Sequence, residues 1–406
     1  MFSKLQPAPP DSIFGLNDQF LRDPHPHQIN LTVGVYQDEH GQTPVVAAIK
    51  RAERRLLESE HTKDYVAMDG WAEFNAGVAE LVLGTKNPAY AARRFKTLQT
   101  LGGTGALRLS ADLLAVTLGH VRIAHSNPTW SNHLGIFRAA GLEPQPYRYF
   151  DPRTNDLDFS GMLTDLRGLP DATPVLLHTV CHNPTGFDLE PEHWEALAAL
   201  FESKRFIAVF DFAYQGFDRS VDADREPIEL FCEREIPLLI CSSFSKNMGL
   251  YGERVGACTV VAPTPEQAAT LHSHLKLHAR CSYSNPVRHG AQLAAAVLHD
   301  SDLRQEWLAE LDRMREQIDE QRGLLLRHLR EKAPQMNFEF LAKQRGMFGF
   351  SGLNPEQTRI LREQYSIYML GNGRVNIAGV HPHNVERLVD AIAAVTAATS
   401  SSCAQR

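Results

Sequence analysis

The sequence lacks an excess of positive charge. Of its 406 residues, 41 are Lys or Arg and 48 are Asp or Glu, which gives a formal net charge of −7. A protein that neutralises a phosphate backbone or binds an anionic membrane surface usually carries clustered basic residues. The charge balance therefore argues against nucleic acid and against a membrane surface as partners.

Long hydrophobic runs are also missing. No uninterrupted apolar stretch approaches the roughly 18–20 residues that a membrane-spanning helix requires, and the first residues contain no apolar core of a signal peptide. Hydrophobic residues nevertheless make up 43% of the chain and charged residues 22%, which is the balance of an ordinary folded protein. We therefore expect a folded cytoplasmic protein without a membrane segment.

Cysteine and histidine show no convincing metal pattern. The six cysteines lie far apart and form no C-x-x-C pair, which argues against a zinc ribbon and against a disulfide framework. We interpret them as reduced thiols, most of them buried. His274 and His278 are four residues apart and would share a helix face, as two metal ligands can. No Glu or Cys nearby completes such a set, so we expect a packed or solvated helix face and no metal.

Strand-like and helical patterns alternate along most of the chain. Short apolar runs, typical of buried strands, occur at 121–125, 174–180, 206–212, 238–243 and 256–262. Helical periodicity occurs at 46–59, 71–83, 105–118, 131–140, 190–204 and 226–234. This alternation predicts an α/β fold in which βαβ units surround a mostly parallel sheet.

The two ends of the chain predict a second, smaller α+β domain. The C-terminal part contains, in order, a long charged helix around 302–331, weaker strands at 338–350 and 374–378, and a helix near 382–398. A strand-like run at 29–35 lies in an N-terminal segment with too little apolar surface for a domain of its own. We predict an arm and part of the small domain over 1–45, a large domain over 46–312, and the small domain over 313–406.

A glycine cluster, Gly102-Gly103-Thr104-Gly105, precedes the predicted helix at 105–118. Bare backbone amides at the positive end of a helix dipole bind phosphate groups. The cluster is not G-x-G-x-x-G, and no strand with the Rossmann spacing and acidic partner accompanies it, so a dinucleotide site is disfavoured. A phosphate site and a turn needed only for packing both remain compatible with this pattern.

A lysine follows the predicted strand at 238–243, within Ser242-Ser243-Phe244-Ser245-Lys246. Ligands of open α/β sheets bind at the carboxyl ends of strands. Partial burial lowers the pKa of an amine and makes it nucleophilic, so Lys246 is a candidate for Schiff-base chemistry. Arg254 could supply a charge-assisted contact with a phosphate. The alternative is a surface lysine in a loop.

The apolar run that begins at Phe206 leads directly into Asp211. A carboxylate at the end of a buried strand needs a positively charged partner, and a protonated pyridine nitrogen is one such partner. Tyr214, three residues later, and Asn183, at the end of another predicted strand, could donate hydrogen bonds to the phenolate oxygen of the same ring. An Asn-Pro turn by itself is commonplace, so a structural role for Asn183 is the alternative.

Five motifs occur together in one chain. They are, in order, Gly102-Gly103-Thr104-Gly105, Asn127-Pro128-Thr129-Trp130, Cys181-His182-Asn183-Pro184-Thr185-Gly186, Asp211-Phe212-Ala213-Tyr214-Gln215-Gly216 and Ser243-Phe244-Ser245-Lys246-Asn247. The set resembles the aspartate/aromatic aminotransferases, class I pyridoxal-phosphate enzymes of fold type I, from Asp11 to about Val395. The resemblance implies a large domain with a seven-stranded, mostly parallel sheet flanked by helices and a smaller α+β domain. It also implies pyridoxal 5'-phosphate as cofactor and a homodimer with shared active sites.

The resemblance implies a role for each motif residue. Lys246 would form the internal aldimine and would move a proton between the substrate α-carbon and the cofactor C4′. Asp211, supported by His133, would keep the pyridine nitrogen protonated. The remaining cofactor contacts would be made by Asn183 and Tyr214 at O3′, Trp130 on the ring face, and Gly103, Thr104, Ser243, Ser245, Arg254 and Tyr65 of a second subunit at the phosphate.

Two arginines imply substrates that carry carboxylates. Arg374 matches the family residue that binds the α-carboxylate, and its planar guanidinium could grip that group with two bonds. Gly34, Trp130 and Asn183 would complete this part of the substrate site. Arg280 matches the residue that binds the distal carboxylate of aspartate or glutamate from the neighbouring subunit. A surface ion pair is the alternative for either arginine.

The rim of the implied pocket departs from aspartate-preferring relatives. Gln37, Asp64 and Ser282 stand where those relatives usually have Lys, Asn and Asn. Loss of a lysine and gain of a carboxylate would weaken the attraction for a second substrate carboxylate. The aspartate-like pattern is retained at Val35, Thr43, Thr104 and Asn285. We therefore expect a dual enzyme that accepts aspartate, glutamate and aromatic amino acids.

The predicted reaction is transfer of an amino group between aspartate or an aromatic amino acid and 2-oxoglutarate in a ping-pong cycle. A pyridoxal-phosphate-dependent lyase or decarboxylase on the same scaffold is an alternative, because the reaction type depends on which α-carbon bond stands perpendicular to the ring. A non-catalytic member that only binds a ligand is a second alternative, since a fold does not guarantee its usual activity.

Overall fold

The computed structural model describes residues 2–8, 11–119 and 121–403, and within them the chain forms two compact units. The first unit comprises the chain up to Gln42, the short segment Pro184–Gly186 and the chain from Gln317 onward. The second unit comprises Thr43–Asn183 and Phe187–Glu316. The predicted boundaries after residues 45 and 312 lie a few residues from these, and the sequence did not predict that Pro184–Gly186 would group with the first unit.

The described residues form thirteen strands. They are β1 Ile29–Asn30, β2 Phe95–Leu101, β3 Arg122–Asn127, β4 Glu143–Arg148, β5 Phe150–Asp151, β6 Asp156–Leu157, β7 Pro174–His178, β8 Ile207–Phe212, β9 Leu238–Ser243, β10 Val255–Val261, β11 Phe348–Phe350, β12 Ile367–Tyr368 and β13 Arg374–Asn376. Seven of them form the sheet of the second unit, in the order β2-β10-β9-β8-β7-β3-β4. All neighbours in this sheet are parallel except that β10 runs antiparallel to both β2 and β9.

The described residues also form fourteen α-helices. They are α1 Phe14–Arg22, α2 Ala47–Ser59, α3 Ala72–Leu83, α4 Pro88–Ala91, α5 Gly102–Leu118, α6 Ser131–Ala139, α7 Phe159–Arg167, α8 Pro191–Lys204, α9 Glu226–Glu233, α10 Pro265–Ser282, α11 Arg288–His299, α12 Ser301–Lys332, α13 Pro355–Tyr365 and α14 Val385–Cys403. Short 3₁₀ turns occur at Phe2–Lys4, Ala223–Arg225, Glu339–Lys343 and Ile377–Gly379. The prediction of an α/β fold with a seven-stranded, mostly parallel sheet is confirmed.

The centre of the sheet is buried on both faces. Every residue of β9 and β10 is buried, which explains why these strands read as uninterrupted apolar runs in the sequence. Residues of α5 and α6 pack with strand residues in one hydrophobic cluster that includes Leu107, Leu114, Phe137 and Leu239. The parallel strands therefore end at one well-defined edge, where His178, Asp211 and Ser243 lie at or near the last positions of β7, β8 and β9.

Two strands of the sheet are absent from the sequence-based prediction. β2 contains Lys96, Thr97, Gln99 and Thr100, so it shows no continuous apolar run. β4 contains two prolines, which a strand tolerates at the edge of a sheet, and β4 is an edge strand. Because β2 ends at Leu101, the glycine cluster directly follows a strand that the sequence analysis did not predict.

Three predicted boundaries differ from the observed ones. α5 begins at Gly102 rather than at 105, so the glycine cluster forms its first turn, and Gly102 has a φ of +66°, which glycine adopts without steric cost. In the first unit, the predicted strand at 338–350 is a strand only over Phe348–Phe350 and otherwise contains a 3₁₀ turn. The strand-like run at 29–35 pairs only over β1, which lies parallel to β12.

Two further features are the state of the cysteines and whether any helix could cross a membrane. Cys181, Cys232, Cys241 and Cys258 are buried, Cys281 is exposed, and none of these five forms a disulfide. The side chain of Cys403 lies outside the described part of the structure. Across residues 2–8, 11–119 and 121–403, no helix combines the length and the apolar character that a membrane crossing demands.

Gly256 lies so close to neighbouring backbone atoms that its substitution should destabilise the protein. A Cβ added at Gly256 of β10 would lie 2.4 Å from the carbonyl carbon of Gly102 and 2.7 Å from the carbonyl oxygen of Ser242. Gly256→Ala should lower the free energy of unfolding by about 1–3 kcal/mol, because backbone atoms would have to move apart. Gly252→Ala is the matched control, since nothing lies within 4 Å of its added Cβ. Urea denaturation of the two variants measures the difference, and equal midpoints would contradict the prediction.

Candidate active site

Asp211 lies near the end of β8 and is held by a buried histidine. Its Oδ2 is 2.9 Å from Nε2 of His133, a fully buried residue of α6. The other ring nitrogen of His133, Nδ1, is 2.8 Å from the hydroxyl oxygen of Thr129. If Nε2–H donates to the carboxylate, Nδ1 is free to accept from the Thr129 hydroxyl. The chain Thr129–His133–Asp211 thus orients the carboxylate.

The surroundings of Asp211 keep its carboxylate ionised. Burial by itself acts to raise the pKa of Asp211, but this effect is outweighed by the hydrogen bond with His133 and by the electrostatic influence of His133, His178 and Lys246. The net result is a pKa below the usual range of an aspartate. A buried carboxylate that stays ionised attracts a cation, and Lys246 is one of the groups that stabilise its charge.

His178, at the end of β7, lies in register with Asp211. Its Nδ1 accepts the backbone N–H of Asn183 at 3.1 Å, so the proton of the neutral ring is on Nε2. No partner for Nε2 is found among the described residues. The ring centres of His178 and His133 are 5.4 Å apart, so both rings lie close to Asp211.

The arrangement of His133, His178 and Asp211 bears on metal binding. One ligand atom from each residue lies within 4.8 Å of the others, which is compact enough for a metal ion. A metal would need an unprotonated nitrogen from each histidine. The Asn183 N–H occupies Nδ1 of His178, and the ionised Asp211 receives the Nε2 proton of His133. The hydrogen-bond pattern thus suits a heterocyclic N–H⁺ facing the carboxylate better than it suits a metal.

A second cluster surrounds the first turn of α5. A Cβ added at Gly103 would lie 3.1 Å from the Ser243 Cβ, and one added at Gly102 would lie 2.7 Å from Nη2 of Arg254. The N–H of Gly102 donates to the carbonyl of Arg254 at 2.9 Å, and the N–H of Ser245 donates to the Ser243 hydroxyl at 3.3 Å. The sheet therefore brings together backbone amides at a helix N-terminus, two hydroxyls and a guanidinium, which is a donor set for a phosphate.

Lys246 and Tyr214 are neighbours in the same unit. Nζ of Lys246 is 5.1 Å from the centre of the Tyr214 ring. A buried tryptophan holds the segment that carries Lys246: Nε1 of the fully buried Trp307 donates to the carbonyl of Asn247 at 2.6 Å. Trp130, at the start of α6, meets the His133 ring edge-on with centres 5.1 Å apart. Asn183 is 8% exposed and borders His178 through its backbone N–H.

Whether these residues fit pyridoxal phosphate depends on whether each chemical group of the cofactor has a matching partner among them. The cofactor has a phosphate, a pyridine nitrogen, a phenolate oxygen and an aldehyde. The second unit offers the phosphate donors around Gly103, Ser243 and Arg254, the ionised Asp211, the Tyr214 side chain beside the Lys246 amine, and Asn183 next to His178. Each group of the cofactor has a chemically matched partner, so the residues fit it.

The first unit contains a separate arginine site. Arg374 is 2% exposed, its guanidinium lies 4.1 Å from the centre of the Phe348 ring, and its Nη2 donates to the Thr32 carbonyl. Asn376 donates from Nδ2 to the carbonyls of Val33 and Val35, at 2.8 and 3.0 Å. These two bonds hold the carbonyl groups of the residues that precede and follow Gly34. The structure thus brings Gly34 and Arg374 together within this unit.

Tyr65 and Arg280 occupy an exposed part of the second unit. The Tyr65 side chain is 90% exposed, and Arg280, in the last turn of α10, is also exposed. Arg280 donates to the Ser284 hydroxyl, which contacts Oδ1 of Asn285, and Asn285 donates to the carbonyl of Val66 next to Tyr65. The two residues assigned to a neighbouring subunit's site therefore lie on a connected surface.

The rim residues differ in their surroundings. In the first unit, Oε1 of Gln37 is 3.1 Å from Nε2 of His381, and its backbone carbonyl accepts from Nε2 of Gln317 at 3.1 Å. Gln37 is thus a neutral residue that both its side chain and its backbone carbonyl hold in place. Asp64 and Ser282 are both exposed residues of the second unit.

Sequence reasoning did not identify His178, Thr129, Phe348 or Asn376 as functional candidates. Their contribution depends on contacts across the fold: a strand register for His178, the hydrogen bond with His133 for Thr129, the packing on Arg374 for Phe348, and the bonds to Val33 and Val35 for Asn376. The repeated histidines of His178-Thr179-Val180-Cys181-His182 at the end of an apolar run are the one local signal that could have pointed to His178.

Comparison with known proteins agrees with this geometry. Residues 26–392 match the family "Aminotransferase class I and II". The chain is 45% identical over 395 residues to the aspartate aminotransferase of Escherichia coli K12, covering 97% of this chain and 100% of that protein. The aromatic-amino-acid aminotransferase of Burkholderia pseudomallei, covalently bound to pyridoxal phosphate, superposes with a TM-score of 0.94 at 41% identity, over 97% of this chain and 99% of that one. The cytoplasmic aspartate aminotransferase of Saccharomyces cerevisiae superposes with a TM-score of 0.95 at 32% identity, over 98% of each chain.

The fold and the site define a pyridoxal-phosphate-dependent transferase of fold type I. More narrowly, this chain belongs to the class I and II aminotransferases, and it is an aminotransferase. The resemblance noted from the motifs is therefore confirmed.

The buried His178 predicts a defined pH dependence of stability. Burial lowers the pKa of His178 from 6.5 to about 3, although Asp211 acts in the opposite direction. Between these pH values the unfolded chain binds one proton more than the folded chain, so stability falls as the pH falls from 6.5 towards 3. His178→Gln in the cofactor-free protein should reduce this slope by up to about 1.4 kcal/mol per pH unit.

Urea denaturation at several pH values in this window measures the slope. His61→Gln, at an exposed position of the same unit, is the matched control and should keep the wild-type slope. A His178→Gln variant whose stability falls with acidification as steeply as that of the wild type would refute the assignment.

Proposed function

We propose that this aminotransferase exchanges an amino group between aspartate or an aromatic amino acid and 2-oxoglutarate in a ping-pong cycle. The observation that carries the proposal is the buried carboxylate of Asp211 near the end of β8, which lies 2.9 Å from Nε2 of His133 and whose pKa is lowered by His133 and, to a smaller extent, by His178 and Lys246. Pyridoxal phosphate, when bound, supplies the electron-withdrawing ring that acidifies the substrate α-carbon. The lyase and decarboxylase alternative has no comparable support, because the relatives are aminotransferases.

Lys246 and Asp211 perform the central steps in this proposal. Lys246 would hold the cofactor through its side-chain amine, and the same amine would accept and return the proton of the substrate α-carbon. Its position beside the Tyr214 ring supports a defined orientation of the amine. Asp211 holds a proton at the pyridine nitrogen, and the hydrogen bond with His133 supports this role by keeping the carboxylate ionised and oriented.

The remaining side chains of the second unit bind and orient the cofactor. Tyr214 and Asn183 donate hydrogen bonds to O3′, and Trp130 covers the ring face. The phosphate is bound by Gly103 and Thr104 at the N-terminus of α5, by Ser243 and Ser245, and by Arg254. The contacts among Gly102, Gly103, Ser243 and Arg254 support this part of the proposal.

Arg374 binds the α-carboxylate of the substrate, with Gly34, Trp130 and Asn183. Its burial and its packing on the Phe348 ring hold the guanidinium in one orientation, which favours a two-bond contact with a carboxylate. Asn376 contributes indirectly, because it holds the carbonyl groups of Val33 and Val35, the residues on either side of Gly34.

Arg280 and Tyr65 act in the active site of a partner subunit, so the proposed functional form is a homodimer with shared sites. The exposure of both side chains supports this assignment, since neither is committed to the core of its own chain. Arg280 would bind the distal carboxylate of a dicarboxylic substrate. The neutral Gln37 and the acidic Asp64 at the rim favour acceptance of aromatic side chains as well. The four buried free thiols are typical of a reducing compartment, which supports a cytoplasmic location.

Lys246→Ala should lower kcat by more than about 1000-fold, because the variant has no amine to move the α-proton. The rate of transfer from aspartate to 2-oxoglutarate measures this loss, and the visible absorption band of the bound cofactor should lose its normal pH sensitivity. Lys50→Ala, an exposed lysine paired with Glu53, is the control and should retain full activity. Release of CO₂ or pyruvate from aspartate without a keto acid would instead favour the decarboxylase or lyase reaction.

Arg280→Ala should discriminate between the two substrate classes. The expected result is a fall of about 100-fold in kcat/KM for aspartate and little change for phenylalanine, since only aspartate loses a charge-assisted contact. Arg153→Ala, an exposed arginine paired with Asp151, is the control. Equal losses for aspartate and phenylalanine would show that Arg280 does not select the distal carboxylate.

A further inference from the structure

Asp188 follows the Asn183-Pro184-Thr185-Gly186 motif and has no role in the proposed reaction. Its Oδ2 accepts the backbone N–H of Cys181 at 2.6 Å, and its Oδ1 accepts the N–H of His182 at 2.8 Å. One carboxylate thus holds two consecutive peptide groups. Residues 184–186 group with the first unit, so the chain leaves the second unit before them and re-enters it after them. The two hydrogen bonds of Asp188 connect the chain just after re-entry with the chain just before it leaves.

The segment held by Asp188 has an unusual backbone. Cys181 has a φ of +53°, in the left-handed region that non-glycine residues rarely adopt. The next N–H, that of Asn183, donates to Nδ1 of His178 at 3.1 Å. Three consecutive backbone N–H groups are therefore satisfied by side chains rather than by secondary structure. The direction in which the Asn183 side chain leaves the backbone depends on these bonds.

The two hydrogen bonds of Asp188 also affect a stack of aromatic rings. The His182 ring lies between those of Tyr149 and His178, with centres 4.0 and 4.3 Å away, and its Nε2 is 2.8 Å from the Ser126 hydroxyl. The carboxylate holds the backbone of His182, and the His182 ring packs on His178. His178 in turn faces Asp211 across the β7–β8 register.

The ionisation of Asp188 carries a cost in stability. Burial raises the pKa of Asp188 to about 7, and Asp218 and Asp224 act in the same direction, while the two backbone N–H donors act against it. A folded-state pKa above the unfolded value means that this group's stabilisation is present at low pH and is lost as the pH rises towards 7. A buried carboxylate whose ionisation lowers stability, located next to a candidate site, is better explained by a role in positioning its neighbours than by a role in stability.

We propose that Asp188 is a positioning residue of the cofactor site. Its carboxylate fixes the Cys181–His182 backbone, so that the Asn183 amide and the His178 ring meet the cofactor in their working orientation. The inference rests on the proposed function, because it assumes that Asn183 donates to the cofactor's O3′.

The test uses the holoenzyme of Asp188→Asn, whose amide keeps one acceptor oxygen and loses the other. The pH midpoint of the cofactor's visible absorption band should rise by about half a pH unit to one unit, because a misplaced Asn183 leaves more negative charge on O3′ and a nearby proton is held more tightly. The dissociation constant of pyridoxal phosphate, measured by equilibrium dialysis against cofactor-free protein, should rise about three- to tenfold. Asp158→Asn, which weakens the cap of α7 at the Gly161 N–H, should change neither value.

A double variant separates positioning from a general loss of stability. If Asp188 acts through Asn183, the midpoint of Asp188→Asn/Asn183→Ala should equal that of Asn183→Ala alone. If Asp188→Asn does not fold, Asp188→Glu retains both oxygens one methylene away and should shift the midpoint in the same direction by a smaller amount. A foldable variant with the wild-type midpoint and dissociation constant overturns the inference. A wild-type protein that shows no visible band and binds no pyridoxal phosphate would overturn the proposed function instead.

Discussion

An ionised carboxylate inside a protein needs a compensating charge, and Asp211 meets this need at the end of a strand buried among apolar neighbours. The hydrogen bond with His133 and the nearby Lys246 hold its pKa low despite burial. The residues that contact these histidines also help to keep the carboxylate ionised. The Thr129 hydroxyl orients His133, and the backbone N–H of Asn183 sets the tautomer of His178. In the proposed function, a protonated pyridine ring is the cation that this arrangement would accommodate.

The topology of the sheet explains why the other proposed cofactor-binding residues lie near Asp211. Parallel strands end at a common edge, so His178, Asp211 and Ser243 follow from β7, β8 and β9. β10 is antiparallel, and it therefore begins at that edge and places Arg254 there. β2 is paired with β10 through Leu101 and Val255, which brings the first turn of α5 to the same place. The close approach of Gly256 to Gly102 allows these strands to pack.

The motifs were sufficient to predict the family, the cofactor and the fold, because short apolar runs and strand-end polar residues are local features. Elements whose signal is weak locally were missed or misplaced, as with the polar β2, the proline-containing β4, and the predicted strand at 338–350. Asn183 and Tyr214 were selected by their positions after predicted strands. Asp188 was not, because a carboxylate after a turn has no distinctive pattern until its two N–H donors are known.

The amino-acid sequence by itself determined which chemical groups are available and which of them follow strands: an amine at Lys246, a carboxylate at Asp211, a glycine turn at 102–105 and two separate arginines. Only the tertiary structure decided which groups touch. The His178–Asp211 register, the hold of Asp188 on Cys181 and His182, and the packing of Arg374 on Phe348 are of this kind. The physical reason is that pKa values and hydrogen bonds depend on distance and burial, which strand pairing and packing set between residues far apart in the chain.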